Sequence, residues 1–273
     1  MANKTILKWA GSKVQIMPQL LPHLPKTRRL VEPFAGSCAV MMNTDYESYL
    51  LADANPDLIN FYEMMIHHNT VFIEAAKSLF SPFARTGSDE KQRYYRIRHQ
   101  FNYQAMTLLW RAVCFLYLNK HGFNGLCRYN QKGQFNVPAG KYKTVYFPEK
   151  EINQFIGRQA QSITLHCRDW SETLSLVTKD DGIYCDPPYL AHKNGFTQYC
   201  PEKFTEAEHE KLAKRLKKMN TRRGNPITVS NSMAAKSLYA DLGFTVHEIS
   251  APRTISGKRQ MAKEIIAVLG GKS

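Results

Sequence analysis

The sharpest chemical signal in the chain is the tetrapeptide Asp186-Pro187-Pro188-Tyr189, which directly follows the apolar run from Gly182 to Cys185. The run predicts a strand, and an acid at the carboxyl end of a strand in an open α/β sheet lies where ligands bind. Two prolines fix φ and remove two backbone donors, which leaves rigid carbonyl acceptors between the carboxylate and an aromatic ring. The tetrapeptide therefore suits an amino group and the ring that bears it. A tight turn without chemistry is an equally good reading of these four residues alone.

A second group of residues follows the strand, glycine turn and acid pattern of nucleoside sites. The first predicted strand leads into Glu32 to Cys38, and Asp53 ends the second strand 17 residues after Gly36. An acid in that place accepts hydrogen bonds from ribose hydroxyls. Because the chain has no Gly-rich lysine loop for phosphates, a nucleoside without a phosphate chain is the better candidate. Just upstream, Lys13 is suited to pair with an anion and Trp9 to pack on a cofactor.

Short apolar runs between turn or helix signals predict the strands that must position these residues. There are seven of them: Leu30 to Phe34, Tyr49 to Ala52, Ile163 to Cys167, Gly182 to Cys185, Pro226 to Ser230, Thr245 to Ile249 and Glu264 to Leu269. Helical patterns lie between several runs, notably Thr205 to Met219 and Met233 to Leu242. This alternation is typical of an α/β sheet.

The long interval between the second and third predicted strands indicates an inserted domain. Roughly 110 residues lie there, far more than a βαβ connection needs. The interval opens with helical periodicity from Leu58 to Phe80, and Met106 to Asn119 predicts a further helix with an apolar stripe. We therefore divide the chain into a catalytic domain of residues 1–56 and 147–273 and an inserted, mainly helical domain of residues 57–146.

The charge distribution singles out the same interval. The chain carries 37 Lys and Arg against 23 Asp and Glu, a net charge of +14, and residues 81–147 hold nine of those charges together with 14 of the 31 aromatic residues. Cations neutralise phosphates, while aromatic rings stack on bases or wedge between them. The composition thus favours a nucleic-acid surface, although a solvated basic face over an aromatic core remains the alternative.

Other classes of protein are disfavoured. The longest apolar stretch, Ala112 to Leu118, is far shorter than the roughly 20 residues of a membrane span. Met1 to Lys13 lacks the apolar region of a secretory signal, and six cysteines without a C-x-x-C pair do not suggest a disulfide scaffold. We expect a cytoplasmic protein. The pair His67-His68 has no further ligands at metal spacing, so no metal is expected.

The order of motifs resembles the Dam-type DNA adenine methyltransferases, the alpha group of amino-methyltransferases that modify adenine in GATC. The resemblance runs nearly end to end over Leu7 to Lys13, Val31 to Gly36, Leu51 to Asp53, Asn124 to Asn130, Phe135 to Pro138, Asp186 to Tyr189 and Ser230-Asn231. It implies a Rossmann-like class I methyltransferase fold with a seven-stranded mixed sheet and an inserted target-recognition domain. It also implies S-adenosylmethionine as the methyl donor.

The resemblance further assigns roles to individual residues. The catalytic set is Asp186, Pro187 and Tyr189, and the donor-binding set is Trp9, Lys13, Phe34, Gly36, Asp53, Asp169 and Asp186. The Asp186 carboxylate and the Pro187 carbonyl are expected to accept the two amino hydrogens of adenine, and Tyr189 to stack on its ring. Because that amino group cannot be reached inside a duplex, the base must be flipped out.

The partner that the resemblance implies is double-stranded DNA, bound by a monomer. Its DNA-binding set is Lys8, Phe123, Asn124, Leu126, Arg128, Asn130, Pro138, Tyr142 and Arg253. Within it, Arg128 is expected to read a guanine edge, Leu126 and Pro138 a thymine methyl group, and Lys8 the first guanine. Arg253, Lys258 and Arg259 are expected to clamp phosphates from a loop before the last strand.

Two positions depart from the family pattern. Cys38 stands at the second glycine of the donor loop, and Phe123 stands where the best-known member carries a tyrosine that wedges into the DNA.

Three rival functions also follow from the residues. The tetrapeptide Asp186 to Tyr189 also occurs in RNA base methyltransferases, and Cys38 is the one residue that favours a GATC-binding regulator without turnover. Pro56-Asp57 with Asp89-Glu90-Lys91 loosely spells a metal-dependent nuclease.

Overall fold

A seven-stranded sheet forms the centre of the protein. The computed structural model describes residues 2–81, 87–158, 162–190, 204–255 and 258–270, with only the backbone described at 87–89, 253–255 and 258–259. The strands are β1 (Arg29–Glu32), β2 (Ser48–Asp53), β3 (Ser162–Cys167), β4 (Asp181–Cys185), β5 (Ile227–Ser232), β6 (Thr245–Ile255) and β7 (Lys258–Leu269). Their order across the sheet is β3-β2-β1-β4-β5-β7-β6.

The pairing makes this a mixed sheet with one reversal of strand order. β1 to β5 are parallel, while β7 runs antiparallel to both β5 and β6. β4 is buried along its whole length, as expected for a parallel strand covered on both faces. All seven predicted strands are present, and the expected seven-stranded mixed α/β sheet is confirmed. The order reverses between β1 and β4, and ligands of open α/β sheets bind at such a point.

Helices cover both faces of the sheet. They are α1 (Met17–Leu20), α2 (Pro56–His67), α3 (Asn69–Phe80), α4 (Gly87–Tyr103), α5 (Leu108–His121), α6 (Glu149–Gly157), α7 (Trp170–Ser175), α8 (Glu206–Arg223) and α9 (Lys236–Asp241). α7, α8 and α9 bury Trp170, Leu216 and Tyr239 against one face. In the described part of the chain, no helix is long and apolar enough to span a membrane.

The segment between β2 and β3 folds into α2 to α6 and packs on the other face. Its buried rings, such as Phe61 and Phe115, belong to the same apolar cluster as Leu30 and Leu51 of the sheet. The helical pattern predicted from Leu58 to Phe80 is two helices that meet at His68. The helix predicted from Met106 is α5, which is almost completely buried along its second half. The insertion and the sheet therefore share one core.

The loop expected around Arg253 is wrong, because β6 continues through Arg253 to Ile255 and β7 already begins at Lys258. The side chains of Arg253, Lys258 and Arg259 lie outside the described residues. Pro252 suggested a loop, yet it pairs with Met261 across the hairpin. β6 is the edge strand of the sheet, and an edge strand tolerates proline because the missing donor is not needed for a second partner.

Candidate functional site

Asp186 lies just beyond β4, at the point where the strand order reverses. Its Oδ2 is 2.7 Å from Nζ of the buried Lys13. Its Oδ1 is buried and has no hydrogen-bond partner in the described part of the chain. Burial raises the pKa of Asp186, and the Lys13 ammonium opposes that rise. The site thus holds a carboxylate with one oxygen ion-paired and the other without a donor among the described residues.

Tyr189 is fixed beside this carboxylate by a residue that the sequence reasoning missed. Its hydroxyl donates to Oε2 of Glu264 at 2.7 Å, and Lys13 Nζ lies 4.9 Å from its ring centroid. Glu264 is buried in β7, opposite Ser232 of β5. The signal that could have identified Glu264 is a charged residue at the start of an otherwise apolar run, but its contact with Tyr189 spans 75 residues of sequence.

The loop that carries Asp186 is held from below by Asn231, part of the Ser230-Asn231 motif. Its Oδ1 accepts a hydrogen bond from the Leu190 backbone at 3.3 Å, and the Leu190 carbonyl accepts one from the Ser232 hydroxyl at 2.7 Å. On its other side, Asn231 Nδ2 is 3.4 Å from Nδ1 of the buried His209. Burial lowers the pKa of His209 to about 4, so the ring that packs beside Asn231 is neutral at pH 7.

Trp9, Gly36 and Asp53 come together at the carboxyl ends of β1 and β2. The Gly36 amide donates to Asp53 Oδ2 at 3.1 Å, and the Asn55 amide donates to Asp53 Oδ1 at 3.0 Å. Gly36 has a φ of +47°, and a Cβ there would lie 2.8 Å from Trp9 Nε1. Only glycine leaves this space under the indole. An oriented carboxylate beside an indole and open backbone fits the hydroxyls and the flat base of a nucleoside.

Two buried residues near this turn carry unusual chemistry. Cys38, at the second glycine position of the family pattern, has a φ of 54° and a completely buried side chain. The backbone therefore takes a conformation that favours glycine even though a side chain is present. Glu32, at the end of β1, is also buried, and burial followed by the charge of Asp186 raises its pKa to about 8.

Phe34 and Asp169, the remaining members of the donor-binding set, lie at the rim of this edge. The Phe34 ring contacts the Phe204 ring edge to face at 5.7 Å, on the sheet face covered by α7 to α9. Asp169 is exposed and caps α7, where its Oδ1 accepts from the Ser171 amide at 2.7 Å. β3 pairs with β2 up to Asp53, so Asp169 follows the strand next to that acid.

Lys8 links this edge to the inserted segment. Its amide donates to Asn119 Oδ1 at 2.9 Å, and its carbonyl accepts from Asn119 Nδ2 at 2.8 Å. Its ammonium lies 4.0 Å from the ring centroid of the exposed Tyr142, whose hydroxyl donates to Gly122. Trp9, beside Gly36, and Lys13, paired with Asp186, follow within five residues. One short segment therefore contacts the inserted helices, the turn at Gly36 and Asp186.

Phe123 and Pro138 lie together on the exposed side of the insertion. The Phe123 amide donates to the Pro138 carbonyl at 2.9 Å, and the Phe123 ring is 47% exposed. Next to it, Asn124 is exposed and has a φ of 53°. Leu126 packs partly against the core. The turn therefore presents an exposed aromatic ring at the surface of the insertion.

The remaining DNA-binding candidates differ in how they are held. Arg128 Nε donates to Asn136 Oδ1 at 2.7 Å, and the Asn136 amide donates back to the Arg128 carbonyl. Asn130 organises its own turn, since its Oδ1 accepts from the amides of Lys132 and Gln134, each at 3.0 Å. Arg253 contributes no described side chain.

Comparisons with known proteins agree over nearly the whole chain. The model of the D12 class N6 adenine-specific DNA methyltransferase family matches residues 9–255. The sequence is 48% identical to the retron Ec67 DNA adenine methylase of Escherichia coli, over 98% of this chain and 92% of that protein. It is 42% identical to a DNA adenine methylase of Vibrio cholerae, over 97% of this chain and 96% of that protein.

Two further likenesses are looser. The DNA N-6-adenine-methyltransferase of Escherichia phage P1 is 39% identical over 98% of this chain, which spans 35% of that longer protein. Among solved structures, precorrin-6y C5,15-methyltransferase from Geobacter metallireducens overlaps 99% of this chain and 100% of its own at 11% identity, with a TM-score of 0.40. The strand order, and not this overlap, defines the fold.

Proposed function

The chain belongs to the D12 class N6 adenine-specific DNA methyltransferase family, and we propose that it modifies adenine in duplex GATC with S-adenosylmethionine as the donor. It methylates DNA adenine, and methyltransferases of this kind use that donor in general. The observation that carries the proposal is the buried Oδ1 of Asp186, which has no hydrogen-bond partner among the described residues and lies next to Pro187 at the reversal of the sheet. A neutral amino group fits that acceptor, since Lys13 already balances the charge.

Seven residues of the sheet edge are assigned to the donor: Trp9, Lys13, Phe34, Gly36, Asp53, Asp169 and Asp186. The Asp53 carboxylate accepts hydrogen bonds from the ribose hydroxyls. The absence of a side chain at Gly36 lets the donor approach the backbone closely, and the Trp9 indole packs beside it. When bound, S-adenosylmethionine supplies an electrophilic methyl group on a sulfonium, whose sulfur keeps the electron pair of the bond that breaks. Cys38 takes the backbone conformation of a glycine, which supports donor binding despite the substitution.

The catalytic residues act on the 6-amino group of adenine, a poor nucleophile because its lone pair is delocalised into the ring. Asp186 Oδ1 accepts one amino hydrogen and the Pro187 carbonyl the other, which localises the lone pair toward the methyl group. As the N–C bond forms, the nitrogen must lose one proton. Asp186 takes up this proton, because its Oδ1 already accepts the hydrogen bond from that amino hydrogen. Burial raises the pKa of Asp186 and so favours this uptake. Tyr189, held by Glu264, stacks on the ring.

The inserted segment, residues 57–146, is assigned to DNA recognition. Lys8, Leu126, Arg128 and Pro138 read the bases of GATC, and Phe123 fills the gap that the flipped adenine leaves. Asn124, Asn130 and Tyr142 contact the backbone or support the wedge, and Arg253 contacts phosphate. The enzyme acts as a monomer, associated with DNA in the bacterial cytoplasm, and is encoded by the bacterium or by a phage.

Methyl transfer to defined duplexes tests the proposal directly. The protein is incubated with labelled donor and duplexes that differ only in the GATC core, and the label is located by nuclease digestion. We expect label on the adenine N6 of GATC and a loss of at least about a hundredfold in rate for Asp186→Ala, since it removes a charge-stabilising acceptor. Label spread over unrelated sequences would contradict GATC. A near wild-type rate for Asp186→Ala would contradict the mechanism.

A further inference from the structure

The buried carboxylate of Asp57, in the first turn of α2, joins three parts of the protein. Its carboxylate accepts hydrogen bonds from Arg111 Nε and, at 3.1 Å, from Arg111 Nη2 of α5. It also accepts one from the Tyr129 hydroxyl at 2.7 Å. Arg111 is itself fixed, because Nη1 donates to the Phe101 carbonyl and its guanidinium lies 4.1 Å from the Phe101 ring centroid.

Tyr129 belongs to residues 126–130, which we call the reading loop because they include Leu126 and Arg128. Tyr129 pairs with Phe135 through an isolated bridge, and their rings meet edge to face at 5.6 Å. Burial, followed by the neighbouring Cys127 and the Asp57 charge, raises the pKa of Tyr129, so its hydroxyl remains a donor. Since Tyr129 directly follows Arg128, its anchor on Asp57 sets where the Arg128 backbone lies.

Asn55 makes a second connection, from the same turn of α2. Its amide donates to Asp53 Oδ1, and its side-chain oxygen caps α2 by accepting from the amides of Asp57 at 3.0 Å and Leu58 at 3.3 Å. Its Nδ2 donates to Sγ of Cys127 at 3.6 Å, within the reading loop. Burial raises the pKa of the Cys127 thiol to about 12, so the sulfur is neutral and accepts this bond.

We infer that Asn55, Asp57 and Tyr129 are positioning residues that couple the donor site at Asp53 to base recognition by the reading loop. A ribose on Asp53 fixes the carboxylate that orients Asn55, and Asn55 in turn holds Cys127 and the Asp57 amide. The reading loop then loses less freedom when it meets DNA. Coupling of this kind is reciprocal, so the donor tightens GATC binding and GATC tightens donor binding by one factor. The inference rests on the proposed function of Asp53 and the reading loop.

Binding measurements with a donor product that cannot transfer a methyl group test this coupling. The dissociation constants of a GATC duplex and of a duplex with one changed base are measured by fluorescence anisotropy, with and without S-adenosylhomocysteine. For the wild type we expect the ligand to raise the affinity for GATC by about fivefold or more, and to raise the affinity for the changed duplex less. Tyr129→Phe should bring that factor close to one, while the affinity for S-adenosylhomocysteine without DNA stays unchanged.

Two further variants separate coupling from general damage. Asn55→Ser keeps an acceptor that caps α2 but is too short to reach Cys127, so it should also reduce the factor. Tyr46→Phe removes a hydroxyl bonded to the Pro25 carbonyl, outside the network, and should leave the factor intact. Circular dichroism and melting curves confirm that each variant is folded.

The outcomes distinguish this inference from the proposed function. A wild type that does not prefer GATC, or does not bind S-adenosylhomocysteine, overturns the proposed function and the coupling with it. A wild type that prefers GATC but shows a factor near one overturns the coupling alone. The coupling is also overturned if folded Tyr129→Phe and Asn55→Ser both keep the wild-type factor, or if Tyr46→Phe loses it equally.

Discussion

At the scale of single residues, the site depends on how buried charges are balanced. Glu32 and Glu264 are buried, the Asp186 side chain is 21% exposed, and the buried Lys13 forms a salt bridge with Asp186. The charge of Asp186 adds to burial in raising the pKa of Glu32, and the charge of Glu264 adds to burial in raising the pKa of Asp186. With a pKa of about 8, Glu32 is mostly protonated at pH 7, which spares the site an additional negative charge.

Replacing Glu32 by glutamine should therefore change how stability depends on pH. The native state keeps a proton on Glu32 that the unfolded chain releases above pH 4.5, so stability falls as pH rises from 4.5 to about 8. One such proton contributes a slope of up to about 1.4 kcal/mol per pH unit. Urea denaturation between pH 5 and 8.5 should give a shallower decline for Glu32→Gln. The exposed Glu74→Gln serves as the control, and equal slopes for wild type and Glu32→Gln would refute the assignment.

The sequence predicts which site residues follow a strand, but it does not predict their contacts with residues far away along the chain. Asp186, Gly36 and Asp53 follow predicted strands directly, so the sequence indicates that they share one edge of the sheet. The contacts of Glu264 with Tyr189 and of Asp57 with Tyr129 were not predicted, because the partners lie 75 and 72 residues apart along the chain. Such contacts depend on how the strands and inserted helices are placed in space, which periodicity does not describe.

At the scale of elements, the turn after β1 is held in a conformation that its own sequence disfavours. A residue with a Cβ at positive φ costs about 1–2 kcal/mol, and Cys38 accepts this cost while its thiol is buried. The same turn shapes the donor site through Gly36. Strain at a functional turn of this kind persists when the surrounding structure over-determines it.

The usual order of alanine and glycine should accordingly be inverted at Cys38. Both substitutions lose the buried sulfur, but only glycine relieves the strain, so we expect Cys38→Gly to be more stable than Cys38→Ala by about 1 kcal/mol. At Cys114, which is buried within α5, alanine should instead be the more stable by about 1 kcal/mol. Denaturant unfolding of the four variants measures both differences. The same order at both positions would contradict the strained turn.

A second element-scale prediction concerns the contact between Lys8 and the turn at Gly125. A Cβ on Gly125 would lie 2.1 Å from the Lys8 Cβ. Gly133 has a similar positive φ of +70°, but a Cβ there would meet no atom of the described residues within 4 Å. Gly125→Ala must displace Lys8 and should weaken GATC binding by about tenfold, the effect of losing one specific base contact. Gly133→Ala carries the same backbone strain without the clash. Comparable affinities for the two variants, measured by anisotropy, would mean that Lys8 does not bind DNA.

The elements themselves could largely be predicted from the sequence, with failures where a local signal misleads. Each apolar run corresponds to a strand. The second half of β6, beyond Ile249, was not predicted, and Pro252 within it is of a residue type that ordinarily indicates a loop. His68 hid the break between α2 and α3, since the apolar stripe continues across it. The position of the inserted helices on the sheet followed from no local pattern, because it depends on one core shared by both parts.

At the scale of the whole molecule, the positive charge is unevenly distributed and unevenly neutralised. Of the net +14, nine charges fall within residues 81–147. On α8, two of the four lysines pair with acids one turn earlier, with Lys214 2.9 Å from Glu210 and Lys211 3.5 Å from Glu208. That face of the helix is an ordinary solvated surface. The insertion instead exposes Lys141 and Lys143 on either side of Tyr142, the ring that Lys8 contacts.

This asymmetry predicts which lysines govern the salt dependence of DNA binding. Each neutralised phosphate contributes about −0.9 to the slope of log affinity against log salt, so replacing Lys141 and Lys143 by glutamine should make the slope shallower by about 1 to 2. The loss should be uniform across duplex sequences, because phosphate contacts carry no base information. Replacing the exposed Lys214 and Lys218 of α8 removes the same charge from the molecule and should leave the slope unchanged. Anisotropy titrations between about 50 and 200 mM salt provide the comparison. If both double variants lower the slope equally, net charge alone attracts the duplex; if only the first does, the duplex lies along the insertion.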